Sequence, residues 1–313
     1  MQKSTVFSIG VFALVVSAYS EVDVFGLPIL KASRNPPQEW NSLHWAQGAA
    51  RSINDWDATD PTGWSRQRGD TKLMEVDGKG GMAMGGPQPR IYIQAKAKGG
   101  KPFFRDIEFT GYHRKIGSDG ESYAGFVVGV RSGAEGHGNE NCLANTYYLA
   151  FRNSGTWGFD KELHHPDDAG GKGGPLFNGG LPSNRWIGMK YLVYNLPGDK
   201  TVKLEAYIDS VSGGDAAKGV IWKKLGEVID SGQWSAPPGD CGYPANTVIT
   251  QGGGAVFIRN TNVARAEYKM VSWREIAPAG AVAVVGNVPR TPRKMKPGRY
   301  RINGVLDRIR PLP

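Results

Sequence analysis

The feature that most restricts this chain is a recurrence of short apolar or alternating runs, each closed off by Gly, Asn, Asp or Pro. The clearest are Arg90–Gln94, Arg105–Tyr112, Tyr123–Arg131, Thr146–Arg152, Trp186–Tyr194, Val202–Ile208, Val220–Val228, Ala255–Arg259 and Ala266–Ile276. In Val202–Ile208 aliphatic residues alternate with Lys203, Glu205 and Tyr207, the pattern of a strand with one wet face. Asn153-Ser154-Gly155 and Pro197-Gly198-Asp199 supply turn chemistry between runs. No twelve-residue window carries a helical stripe. With 44 Gly and 20 Pro in 313 residues, and 40% apolar residues to fill a core, the pattern excludes coiled coil and whole-chain disorder. It predicts an all-β fold, a two-sheet antiparallel β-sandwich.

The amino terminus reads as a leader. Lys3 precedes the apolar run Val6–Ala18, and Ala18-Tyr19-Ser20 offers small residues where a signal peptidase cuts. Residues 1–20 are therefore expected to be a signal peptide, since the run falls short of the ~20 residues needed to span a bilayer. No later segment is apolar enough to span one. Residues 21–37 read as a short propeptide or leader segment, 38–277 as the sandwich domain and 278–313 as a tail. A secreted, extracellular protein is the expectation. Cys142 and Cys241 are the only cysteines, and in an oxidising compartment they are expected to form one disulfide. Their separation does not suit a zinc site.

The net charge of +9 is concentrated at one end. From Pro278 onward eight basic residues stand against Asp307 alone, among five further prolines. Such a segment reads as an extended arm, suited either to attachment on a polyanion or simply to solubility. Nucleic acid is not the expected partner, because no nucleic-acid motif accompanies the charge.

The order of the segments GWS…MEVDGKGGMAMGG…PRIYI, FFRDIEFTGYHRK, AGFVVGVRSG, TYYLAFRNSGTWGFDKELHH, WIGMKYLVYN, VKLEAYID and AEYKMVSWREI resembles the concanavalin-A-like jelly-roll sandwiches. The resemblance runs from Gly63 to Ile276 and lies in strand order, with no diagnostic motif. That superfamily holds lectins, laminin-G-like modules, glycoside hydrolases and polysaccharide lyases. The resemblance implies a carbohydrate across the concave sheet and allows a structural calcium ion. It does not decide between cutting and holding.

The carboxylates needed for retaining glycoside hydrolysis are missing: no Glu-X-Asp-X-X-Glu run exists, and Asp160-Lys161-Glu162 has no third acid in register. β-Elimination needs other parts, namely a cation or amide to neutralise a uronate, a base for the C5 proton and an acid for the leaving oxygen. Arg90, Tyr92 and Gln94 share one face of a strand. They join Arg131, Lys161, Lys190 and Trp157 as candidate substrate-binding residues. His113 or His164 is the candidate base, and Tyr148 or Tyr112 the candidate acid. His164 and His165 stand before Pro166 and a Gly-rich stretch, Asp167–Gly174, that reads as a loop. Trp157 and Trp234, beside turns, are the candidate stacking platforms, whereas Trp186, Trp222 and Trp273 read as core.

The sequence thus points to a carbohydrate-active protein on an acidic polysaccharide, cleaving it by β-elimination. The rival is a non-catalytic binding or matrix protein held on a polyanion by its basic tail.

Overall fold

The computed structural model describes residues 21–36, 38–53, 65–68, 73–94, 104–117, 123, 125–132 and 141–277, with only the backbone of 65–68 and 94. The leader 1–20 and the tail 278–313 lie outside these residues. The chain divides into units 1–281 and 282–313, and all described residues belong to the first.

Short strands come first: β1 (Glu39–Asn41), β2 (Arg51–Ser52), β3 (Ser65–Arg68), β4 (Leu73–Val76), β5 (Gly81–Gly86) and β6 (Arg90–Gln94). The longer central strands are β7 (Ile107–Ile116), β8 (Gly125–Ser132), β9 (Thr146–Arg152), β10 (Thr156–His164) and β11 (Asp167–Pro175). The chain then forms β12 (Ile187–Asn195), β13 (Val202–Asp209), β14 (Lys223–Asp230), β15 (Ala255–Thr261) and β16 (Val263–Glu275). They build two antiparallel sheets. One runs β14-β13-β12-β7-β16-β5-β4-β2, with β1 also on β16, and the other runs β11-β10-β9-β8-β15-β6-β3. The expected two-sheet β-sandwich is what forms.

Alternation places the core. From the seven-stranded sheet Phe126, Val128, Leu149, Phe151 and Phe159 point inward, meeting Met189, Tyr191, Val193, Leu204 and Trp273 from the other. Each such burial contributes about 1.5–3 kcal/mol. Two assignments change. Asp167–Gly174 is not a loop: it lies within the edge strand β11, paired along β10. Its glycines permit close cover, since a Cβ on Gly171 would stand 2.7 Å from the Trp234 ring. Trp157 is not a surface platform: it is buried edge-on against Phe159.

The segment 21–34 lies on the outer face of the nine-stranded sheet. Leu27 is fully buried there. The backbone N–H groups of Leu30 and Lys31 donate to the Glu108 carboxylate, and Trp222 Nε1 donates to Pro28 O at 3.1 Å. Arg274 adds a bond to Lys31 O and another to Ser33 Oγ. Glu108, buried, also pairs with Lys190 and Arg274. A buried carboxylate with this many donors has its desolvation offset.

Cys142 and Cys241 are joined, 99 positions apart in sequence and with Cα atoms 5.3 Å apart. The bridge ties the 3-10 turn Asn141–Ala144, ahead of β9, to the segment beyond β14. Closing a loop of this length restricts the unfolded chain, so the double variant Cys142→Ser/Cys241→Ser should lose about 4–5 kcal/mol in urea unfolding. An unchanged midpoint would remove the bridge from the stability of the fold.

Candidate functional site

The outward face of the seven-stranded sheet collects the polar side chains that alternation turns away from the core. Cross-strand register sets two rows. Tyr92, Phe257, Gly129, Tyr148 and Asp160 are successive neighbours in one, and Arg90, Arg259, Val127, Ala150 and Gly158 in the other. Gly129 is needed where it stands, because a Cβ there would fall 2.2 Å from the Phe257 ring. Phe257 in turn packs at 5.0 Å from Tyr92 and 5.8 Å from Tyr148, centroid to centroid. The face is therefore a buried aromatic layer, Tyr92, Phe257 and Tyr148, with arginines along one side and acids along the other.

The polar contacts are specific. Arg90 Nη2 donates to Gln88 Oε1 at 2.9 Å, and Nη1 to the Tyr92 hydroxyl at 3.4 Å. The Arg259 guanidinium lies 5.5 Å from the Tyr148 ring centre. It donates to no acceptor among the described residues, and the Nε atoms of both Arg90 and Arg259 are buried without a partner. Burial pushes the Arg259 pKa down, opposed by the neighbouring Tyr148. The Tyr148 hydroxyl donates to Glu162, whose other oxygen faces His165 Nδ1 at 2.8 Å. Burial first, and then Glu162, push the Tyr148 phenol well above its ordinary pKa. Arg152 pairs with Asp160 at 2.8 Å, and burial nevertheless raises the Asp160 pKa. Asp168 is raised by burial and by Asp160 and Glu162 beside it.

Of the residues expected at a site, Arg90, Tyr92 and Tyr148 are brought together here. Gln94 shares strand β6 with the first two, and its side chain lies outside the described residues. The others are scattered. Lys161 points inward, its Nζ 2.8 Å from Asp230 Oδ2 and from Trp234 O, with both charged groups fully buried. Arg131 is also internal, donating to Arg105 O, Ile249 O and Asp106; burial lowers its pKa to about 10. Tyr112 and Lys190 lie on the opposite face, beneath the segment 21–34. The Tyr112 hydroxyl donates to Asp209 at 2.7 Å. His164 sits at the sheet margin near the disulfide, 3.6 Å from Asp167 and 3.4 Å from Asp240.

His113 lies between the sheets, 3.9 Å from the Phe126 ring, with Nε2 unpartnered. A base there cannot touch a polysaccharide. Its role is in stability. Burial lowers its pKa to about 3, well below the ordinary value. The unfolded chain thus takes up a proton first, so the contribution is complete above about pH 6.5 and is lost as pH falls toward 3. Between about pH 6 and 4 the wild type should lose up to about 1.4 kcal/mol per pH unit more than His113→Phe. Parallel stability curves for the two proteins would refute this.

Arg259 was not read from the sequence as a site residue, and neither Glu162 nor His165 was given a role at a site. The signal was present: Val256 and Ile258 mark the inward parity of β15, which turns Phe257 and Arg259 outward. Likewise Trp157, Phe159 and Leu163 mark the inward parity of β10, which turns Glu162 outward and Lys161 in.

No protein-family profile matches the sequence, and no curated protein does. Solved structures with similar backbones include the "VIP36 exoplasmic/lumenal domain, Ca2+-bound form", at 10% identity, 75% of this chain, 91% of that one and a TM-score of 0.42. The "Emp46p carbohydrate recognition domain (CRD), metal-free form" gives 10% identity, 71% of this chain, 92% of that one and a TM-score of 0.42. "Peanut lectin with 9mer peptide" gives 9% identity, coverage of 72% and 95%, and a TM-score of 0.35. No residue role is carried over from them.

Calcium needs about six to eight oxygen ligands. Among the described residues, one group of three His, Cys, Asp or Glu side chains comes together, Cys142, Asp240 and Cys241. Its two sulfurs are spent in the disulfide, so this group does not fit calcium.

Proposed function

We propose that this is a secreted protein that binds an acidic polysaccharide across the outward face of its seven-stranded sheet. The observation that carries the reading is the pair Arg90 and Arg259, whose buried Nε atoms lack partners beside the buried aromatic layer. A buried guanidinium without an acceptor is costly, and a uronate carboxylate would supply one in the planar geometry arginine prefers. Tyr92 and Tyr148 are buried beneath this face with their hydroxyls engaged by Arg90 and Glu162, so they support the arginines from below. The basic tail would add long-range attraction to the same polyanion. The disulfide fits the secretory route, and no helix among the described residues is long and apolar enough to cross a membrane.

The Tyr148–Glu162–His165 chain favours a second reading, in which the bound polymer is cleaved by β-elimination. Tyr148 passes its proton to Glu162 as its oxygen takes the C5 proton of the uronate. The C5–H electrons form the C4=C5 double bond and the C4–O4 bond breaks. The leaving oxygen takes a proton back from the Tyr148–Glu162 pair, so protons and electrons balance. Arg259 over the Tyr148 ring favours the transient phenolate, and an arginine on the uronate carboxylate favours the charge that develops at C5.

The test is to incubate protein beginning at Glu21 with a panel of acidic and neutral polysaccharides, following both binding and the ultraviolet absorbance of the unsaturated sugar. Rising absorbance with one polyuronate would establish the eliminating reading. Binding with a flat trace would leave the binding protein alone. Binding to none of the acidic polymers would overturn both.

A further inference from the structure

The opposite outer face of the sandwich is only partly covered. Beyond the segment 21–34 an open cleft of about 870 Å³ crosses β7, β16, β5, β4 and β2. Four inter-strand steps make it roughly 19 Å long. Its floor is small and flat: Gly81 and Ala83 of β5 lie in register with Lys269 and Glu267 of β16. One end is walled by Trp186, half-buried, with Lys269 Nζ 4.6 Å and the Arg114 guanidinium 4.7 Å from its ring. Basic side chains stand at both ends, Arg114, Arg265 and Lys269 at one and Arg51 and Lys79 at the other.

The acids in the cleft do not cancel this charge evenly. Glu267 is taken up between Arg114 and Arg265, whose guanidiniums both donate to it. Asp77 accepts the backbone N–H groups of Lys79 and Gly81, and Glu75 is a third acid, exposed in the lining. Lys269 forms no ion pair and donates to no acceptor among the described residues; it stands against the aromatic rings of Trp186 and Tyr112, with the charges of Arg114, Asp215 and Lys218 nearby. An unpaired ammonium beside an aromatic wall and above a flat floor suits a sugar ring bearing an acidic group. The separated cations suit a chain of such rings.

We propose that this cleft is a second binding site for an anionic saccharide chain, on the face opposite Arg90 and Arg259. Together with the first face proposed above, one molecule would hold two polyanion strands, one on each side of the sandwich. The cleft requires neither turnover nor binding at the first face.

The experiment follows the Trp186 indole N–H signal by NMR, assigned through its loss in Trp186→Phe. The titrants are a galacturonate hexasaccharide, a heparin hexasaccharide and a glutamate hexapeptide. The expected result is a saturable shift with at least one saccharide and none with the peptide. The responding saccharide tells whether carboxylate or sulfate is preferred. Lys269→Gln should weaken that response at least about tenfold, as loss of one charge-assisted hydrogen bond requires. Lys269→Arg should retain it, and Arg259→Ala should leave it in place while reporting separately on the other face. No shift with either saccharide, an equal shift with the peptide, or an unchanged affinity in Lys269→Gln would overturn the proposal.

Discussion

On the proposed elimination, a Tyr148→Phe protein should release unsaturated sugar about 10²–10⁴ times more slowly than wild type, the loss expected when a positioned proton-transfer group is removed. Its affinity for the polymer should change little, because the ring that packs on Phe257 and beneath Arg259 remains. The substitution deletes one oxygen. It also leaves Glu162 with His165 as a partner, so the buried carboxylate is not orphaned. A fall in affinity equal to the fall in turnover would mean that Tyr148 binds the ground state, not the transition state. Undiminished turnover would take the hydroxyl out of the chemistry altogether.

The second large effect concerns the interior. Lys161→Ala should cost about 3–5 kcal/mol, because it leaves a buried charge without its counter-ion. Asp230 would keep the Tyr147 hydroxyl at 2.5 Å and the Gly232 N–H at 3.1 Å, neither of which carries a positive charge. The lost ammonium also releases Trp234 O, so the segment after β14 loses one of its anchors to β10. Urea unfolding of Lys161→Ala, Asp230→Ala and the double variant separates the pair from its parts. The double variant should be closer to wild type than the sum of the singles, since it buries no lone charge. A loss below about 1 kcal/mol in Lys161→Ala would show that the interior tolerates the unpaired carboxylate.

How far the sequence carried depends on which property of a residue was asked for. Period-two alternation located the central strands, and Asn153-Ser154-Gly155 and Pro197-Gly198-Asp199 located turns, because both signals are local. Thr146–Arg152 and Arg90–Gln94 match strands to the residue. The edge strand β11 escaped because glycine there serves the approach of Trp234, a contact made across tertiary structure. The same limit applied to the site. Polar residue type suggested Lys161, Arg131 and His113 for a cleft, yet each faces inward, and only parity counted along the strand separates Lys161 from Glu162. That Arg90 and Tyr148 share a face required the register of β6, β15, β8 and β9 together, which no single stretch of chain encodes.

The strand β16 is the last of the described strands in sequence, yet it lies inside the nine-stranded sheet, between β7 and β5, and also carries β1. A chain made from its amino terminus therefore cannot close this sheet until β16 has emerged. Until then β5 and β7 each present an open edge, the kind that invites wrong pairing. Synthesis order and folding order run against each other here, so a helper that shields strand edges would act on the nascent chain longest at the centre of the finished sheet.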